Sequence, residues 1–239
     1  MALRFYRGLA HPVRALSFDL DDTLYENEPV IQKAEQAQFE AICAHLPSAR
    51  EAGLDFWREL KWSILKSSSD LYHDASAWRQ AVIRRGLQIL GVDESELPEL
   101  AQHVYQVFYD ARSDFQVPQQ TIAVLKQLAK RYPLVAVTNG NADINRIGLA
   151  PYFIGYYRAG AQGTRSKPYP DMLQLAARQL DLSPREILHI GDSESSDVRG
   201  ALNANCMSLW YNPNKKAIGV GQKLADGEFS NLDDLLHLL

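Results

Sequence analysis

Three short apolar runs in this chain stop abruptly on polar residues, and that punctuation limits the possible folds more than any other feature. Residues 14–20 (RALSFDL) run into Asp19-Leu20-Asp21-Asp22-Thr23, Leu134-Val135-Ala136-Val137-Thr138 ends in Asn139-Gly140, and Ile187-Leu188-His189-Ile190 closes in Gly191-Asp192. Unbroken apolar runs of roughly 4–8 residues bounded by turn residues read as strands covered on both faces. Met207-Ser208-Leu209-Trp210 is a further short run, and helical patterns occupy 121–131 and 171–180. Strands that alternate with helices need parallel crossovers, so the expected class is α/β, a Rossmann-like parallel sheet with helices on both faces.

The alternation is broken once. Residues 26–113, 88 in all, contain no comparable strand run. They carry instead the stripes Val30-Ile31-Ala34-Ala37-Ala41-Ile42, Trp57-Leu60-Ile64, Trp78-Ala81-Val82 and Leu97-Leu100-Ala101-Val104-Val107-Phe108-Ala111. Spacings of three and four place such residues on one helical face. The expected organisation is a core formed by 1–25 and 114–239 with an all-helical insert at 26–113, and 239 residues suffice for that at about 150 per domain. Residues 211–228 mix Asn, Pro, Lys and Gly and read as a surface loop, and the terminal NLDDLLHLL reads as a short helix.

Charge and cysteine usage remove several function classes. Lys plus Arg number 25 against 29 Asp plus Glu, a net charge of −4, so nothing in the whole draws phosphate backbones or anionic lipid. Nucleic acid and membrane are therefore not expected as partners. Cys43 and Cys206 stand far apart without a second cysteine or a histidine cluster beside either, and both read as buried thiols. The first residues lack the apolar core of a secretory leader, and no run approaches the roughly 18 apolar residues of a membrane span. The expected location is cytoplasmic.

Ligands in open α/β sheets bind beyond the carboxyl ends of the strands. The polar residues there are Asp19, Asp21, Asp22 and Thr23 after the first run, Thr138, Asn139 and Gly140 after the second, and Asp192, Glu194 and Asp197 after the third, with Arg165-Ser166-Lys167-Pro168 in a loop before the 171–180 helix. Carboxylates gathered at one edge repel and are costly to desolvate unless a hard cation neutralises them. Mg²⁺ suits oxygen ligands and shares its shell with substrate phosphate. Lys167, the Thr138 hydroxyl and the backbone N–H groups of Asn139 and Gly140 complete a pocket of phosphate size, which points to phosphoryl transfer.

The strings SFDLDDTLY, VTNGN, RSKPYPD and HIGDSESSD, in this order, resemble the four motifs of the haloacid dehalogenase (HAD) superfamily of phosphohydrolases. Any one motif is weak evidence; four in order at the strand ends are strong. The resemblance implies that Asp19 is a nucleophile forming an aspartyl-phosphate and that Asp21 is the general acid and later the base. It implies that Asp19, Asp21 (through its carbonyl) and Asp192 hold magnesium, that Thr138 and Lys167 engage the phosphoryl group, and that Asp197 braces the site from behind. An acid at position 21 favours ester cleavage, because a halide leaves without protonation. The insert position implies a helical type 1 cap, and the 29 positions from Thr138 to Lys167 leave no room for a second large one.

DLDDTLYENEPVI, LYHDASAWR, VPQQT, VTNGNA and RSKPYPDM further resemble the bacterial riboflavin-pathway phosphatases, which act on 5-amino-6-(5-phospho-D-ribitylamino)uracil and can act on FMN. The substrate expected from this is a small phosphorylated metabolite. Two other readings stay open: a sugar-phosphate phosphomutase, which shares the acid, and a non-catalytic binding module with a relic pocket. His189, inside an apolar run, reads as a hydrogen-bonded core histidine. Trp57, Trp62 and the 97–111 stripe read as cap core, whereas Tyr72, His73, Trp78 and Arg79 are candidates either for gripping a substrate ring or for holding the cap together.

Overall fold

The computed structural model describes residues 3–6, 8–215 and 225–239. Its contacts separate two compact units, one of Met1–Glu26, Gln116–Gly140 and Gly148–Leu239, the other of Asn27–Phe115 and Asn141–Ile147. The strands are β1 (Arg4–Phe5), β2 (Ala15–Phe18), β3 (Leu134–Thr138), β4 (Gly155–Arg158), β5 (Ile187–Gly191), β6 (Met207–Tyr211) and β7 (Gly227–Phe229). The helices are α1 (Glu28–His45), α2 (Ala49–Ser67), α3 (Ala75–Ile89), α4 (Leu97–Arg112), α5 (Gln119–Leu128), α6 (Asp171–Gln179) and α7 (Arg199–Asn203).

All strands belong to the first unit and form one sheet, ordered β1-β7-β6-β5-β2-β3-β4. Every neighbouring pair is parallel except β1 with β7. The three central strands β5, β2 and β3 are buried at every position, as unbroken apolar runs require. The α/β class and parallel sheet expected from the alternation are thus what the chain adopts. The register sets Leu16 beside Leu188 on one side and Leu134 on the other, so the polar tips of these strands emerge at one edge.

The sheet is wider than the apolar runs foretold. β1, β4 and β7 are only two to four residues long and alternate or mix burial, so no periodic signal marks them. β7 begins within the segment read as a surface loop, and there the reading is corrected: Asn212, Ala225 and Asp226 are buried. A Cβ at Gly227 would meet the Arg4 carbonyl oxygen at 2.6 Å, so the close approach of β1 needs a glycine. Residues 216–224 of that segment lie outside the described residues. The terminal helix is a 3₁₀ turn, Leu232–Leu238, capped by the Asn231 side chain.

The second unit is α1 to α4 around a core that includes Ile42, Ile83, Leu87, Leu97, Val104 and Phe108. Pro29 and Pro98 stand in the first turns of α1 and α4, where a missing N–H costs nothing. Asp74 caps α3 by accepting from the amides of Ser76 and Ala77, and α2 is interrupted at Gly53, whose φ of 68° favours glycine. Residues 141–147 group with these helices because Asn141 donates to Ser76 Oγ at 3.2 Å, the Asp143 amide donates to Ser113 Oγ at 3.0 Å, and Arg146 pairs with Asp110.

One core assignment fails. Trp57 is buried as expected, but Trp62 is 60% exposed. Trp57, Leu60 and Ile64 hold the helical spacing, whereas position 62 is five residues past Trp57 and turns to the other side of α2. The Trp57 ring lies so close to Gly86 of α3 that a Cβ there would overlap it. Gly86→Ala is expected to destabilise by about 1–3 kcal/mol through overpacking, read as a lower urea midpoint with altered tryptophan fluorescence.

Candidate active site

The chain leaves β2 and returns first to β3 on one side of it and later to β5 on the other. Where the strand order reverses in this way, the carboxyl ends splay into a crevice. Asp19, Thr138 and Asp192 follow or end these three adjacent strands.

Asp19 continues the ladder past β2, its amide donating to the Ile190 carbonyl at 2.9 Å. The next turn is tight. The Leu20 carbonyl accepts from Leu24, and the Asp22 amide donates to Tyr25 at 2.9 Å with Asp22 at φ 57°, a left-handed conformation that aspartate tolerates. This loop lifts Asp21 to the crevice mouth, where the Tyr25 hydroxyl donates to its Oδ1 at 2.6 Å. A Cβ on Gly140 would collide with the Asp21 carboxylate. Gly140 therefore stands where the β3 tip and the Asp21 carboxylate meet. Its amide donates to Thr138 Oγ1 at 2.9 Å, which leaves the Thr138 hydroxyl hydrogen to donate elsewhere.

Lys167 is the centre of the buried charge. Its side chain is 1% exposed, and Nζ lies 2.8 Å from Asp19 Oδ1, 2.7 Å from Asp197 Oδ1 and 2.6 Å from the Val137 carbonyl. The loop that carries it is held by Asn139, whose side chain accepts from the Lys167 amide at 2.7 Å and donates to the Lys167 carbonyl at 3.0 Å. Burial alone would push this ammonium's pKa down, but the carboxylates of Asp19 and Asp197 hold it above the ordinary lysine value. Burial likewise opposes ionisation of Asp197, yet Lys167 and His189 keep its carboxyl well below the usual range.

Asp19 is in a different position. Burial, with the charges of Asp197 and Asp21, raises its carboxyl to about 8 against the pull of Lys167. Its Oδ1 is buried and, although close to Nζ, takes no aligned hydrogen bond. Asp192 is raised to about 6 by burial and by Asp197 and Asp22. Its amide donates to Thr23 Oγ1 at 3.1 Å, Thr23 donates back to Oδ1 at 3.3 Å, and the Trp210 indole donates to its carbonyl at 2.7 Å.

One oxygen from each of Asp19, Asp192 and Asp197 lies within 4.8 Å of the others. Asp197 is already occupied: Oδ1 meets Lys167 and His189, and Oδ2 accepts the Ser193 amide at 2.9 Å. Asp19 and Asp192 thus remain as two incompletely neutralised carboxylates facing one space. That donor set fits a hard divalent cation such as magnesium.

The residues singled out at the strand ends, Asp19, Asp21, Thr138, Asn139, Gly140, Lys167, Asp192 and Asp197, all lie in the first unit. The helical candidates lie in the second. There Arg79 is tied to Glu35 at 3.1 Å and sits 3.9 Å from the Phe108 ring centroid, and Trp78 donates to the Lys61 carbonyl at 3.0 Å. Tyr72 is 62% exposed and stacks edge-on with His73. Thr23 stood among the strand-end polar residues, and His189 is the hydrogen-bonded core histidine expected from its apolar run. Two contributors, Tyr25 and Trp210, went unassigned in the sequence.

Fold and site together define a hydrolase of known architecture. Residues 13–205 match the haloacid dehalogenase-like hydrolases, and the chain belongs to that family. It is 40% identical over 211 residues, 88% of each chain, to 5-amino-6-(5-phospho-D-ribitylamino)uracil phosphatase YigB of Escherichia coli (strain K12). It is 27% identical to a phosphoglycolate phosphatase of Shigella boydii, covering 95% of this chain and 92% of the relative. A crystal structure of 2-haloacid dehalogenase from Pseudomonas syringae pv. Tomato DC3000 superposes with a TM-score of 0.88 at 33% identity, covering 95% of this chain and 97% of that one.

Within the family the chain is a phosphatase. Asp21, two residues after Asp19, is held by the Tyr25 hydroxyl. Among the described residues no helix is long and apolar enough to cross a membrane. Gly140→Ala, by forcing the Asp21 carboxylate aside, is expected to lower kcat on an alkyl phosphate by about tenfold or more, with little change in thermal midpoint.

Proposed function

We propose that the chain is a magnesium-dependent phosphomonoesterase that works through an aspartyl-phosphate on Asp19 and acts on 5-amino-6-(5-phospho-D-ribitylamino)uracil. The observation that carries the mechanism is the pairing of a buried carboxylate, Asp19, with a second carboxylate two residues on that faces the open crevice. The first is a nucleophile shielded from bulk water, and the second is an acid within reach of a leaving oxygen. The observation that supports the substrate is the identity to the riboflavin-pathway relative over most of both chains. FMN, which shares the ribityl phosphate, is the natural second substrate to assay.

In this reading Asp19 attacks phosphorus while Asp21 protonates the departing oxygen. Asp21, now a base, then takes a proton from the water that cleaves the acyl phosphate. Lys167 offsets the charge of nucleophile and phosphoryl group, and the free Thr138 hydroxyl hydrogen donates to a phosphoryl oxygen. The Asp19 and Asp192 carboxylates and the Asp21 backbone carbonyl would hold magnesium. When bound, magnesium screens the repulsion between a carboxylate nucleophile and an anionic phosphate.

Four outcomes are expected. Asp19→Asn lowers phosphate release by about 10³-fold or more, and turnover at the wild-type rate would end the covalent mechanism. Asp21→Asn loses about 10²–10⁴-fold on alkyl phosphates but less on p-nitrophenyl phosphate, whose leaving group needs no acid. Chelation with EDTA abolishes activity and added Mg²⁺ restores it. Steady-state kinetics across a panel of phosphorylated metabolites, with phosphate release as readout, test the substrate: kcat/KM for the ribitylaminouracil phosphate should exceed that for phosphoglycolate. A panel led by a sugar phosphate that is isomerised without phosphate release would replace hydrolysis with phosphomutase chemistry.

A further inference from the structure

Beneath the Lys167 cluster lies a histidine that the mechanism does not use. His189 is wholly buried on β5, and both of its ring nitrogens are engaged. Nδ1 lies 2.9 Å from Ser17 Oγ on the adjoining strand β2, where the two residues are register partners. Nε2 lies 3.2 Å from Asp197 Oδ1, the oxygen that also meets Lys167 Nζ at 2.7 Å. Lys167 in turn reaches Asp19 Oδ1 at 2.8 Å. An unbroken polar file, Ser17–His189–Asp197–Lys167–Asp19, therefore starts on β2 and returns to the residue that follows it, two positions from Ser17.

We infer that His189 is a positioning residue: as the neutral Nε2–H tautomer it clamps Asp197 so that Lys167 stays aimed at Asp19. The proton placement follows from the partners. Asp197 is an ionised acceptor, so Nε2 must carry the hydrogen, and Nδ1 then offers its lone pair to the Ser17 hydroxyl. Burial and the Lys167 ammonium oppose a second proton on the ring despite Asp197. The neighbouring Gly191 makes room, since a Cβ there would overlap the Asp197 carboxylate. Asp197 is thereby held by three donors from three places: the His189 ring, the Ser193 amide and Lys167. Without the ring N–H, Oδ1 keeps only the lysine, and a buried carboxylate held by one donor fewer loses its fixed direction toward Lys167.

The inference rests on the assignment of Asp19 as nucleophile, and the test separates the two. Long-range ¹⁵N–¹H spectra of the uniformly labelled full chain read the ring directly, without reference to activity. One wholly buried histidine showing the neutral Nε2–H pattern, lost in His189→Gln, is the expected result; the Nδ1–H pattern or a protonated ring overturns the inference whether or not Asp19→Asn is inactive. In kinetics on p-nitrophenyl phosphate, His189→Gln, whose amide nitrogen reaches the Nε2 position, keeps kcat near wild type. His189→Asn, which mimics only Nδ1, lowers kcat by about 10–100-fold at nearly constant KM and with a thermal midpoint close to that of His189→Gln. Equal kcat in the Gln and Asn variants overturns it. Should both variants fold poorly, Ser17→Ala gives a smaller fall in kcat in the same direction, and a wild-type rate there counts against the file.

Discussion

Burial of the Lys167 ammonium is the constraint around which the catalytic unit is arranged. An isolated charge in that position would cost several kcal/mol. It persists because two carboxylates and a backbone carbonyl converge on it at 2.6–2.8 Å. Those partners come from β2, from the turn after β5 and from β3, which are adjacent only in the folded sheet. Asp19, Asp197 and Lys167 are therefore parts of one electrostatic unit, and removal of the lysine leaves two buried carboxylates without their cation.

The same arrangement leaves an imbalance of charge. One lysine against Asp19, Asp197, Asp192 and Asp21 cannot neutralise them all, and the raised carboxyls of Asp19 and Asp192 are the result. A site with surplus negative charge repels phosphate until a cation joins it. Close approach of the tips depends on two glycines. Gly140 and Gly191 each lack a Cβ where an aspartate carboxylate, Asp21 or Asp197, occupies the space. In the helical unit the half-buried Arg79 is sheathed instead between Glu35, Gln38 and the Phe108 ring.

Much of this was legible in the residues. Unbroken runs such as LVAVT can be satisfied only by a strand covered on both faces, and all four such runs became strands. The helical stripes of 26–113 appeared as α1 to α4. What escaped was short or off-pattern: β4 and β7 are held by neighbours rather than by their own composition, and Trp62 sits just outside the stripe that buries Trp57. Among site residues, those at strand tips were visible because a polar residue ending an apolar run has a single place to go. Tyr25, Trp210 and the link from His189 to Asp197 were not, because each acts through a contact set by the turn or strand opposite.

The sequence by itself determined the parallel sheet, the helical insert and the identity of the acids that face the crevice, since hydrophobic periodicity and chain polarity are local properties that survive in one dimension. Only the tertiary structure decided which carboxylate is clamped and which is left open. Asp197 and Asp192 stand five residues apart with the same side chain, but one lies against Lys167 and His189 and the other beside Thr23. That difference is electrostatic and depends on distances between strands, which no single stretch of chain contains.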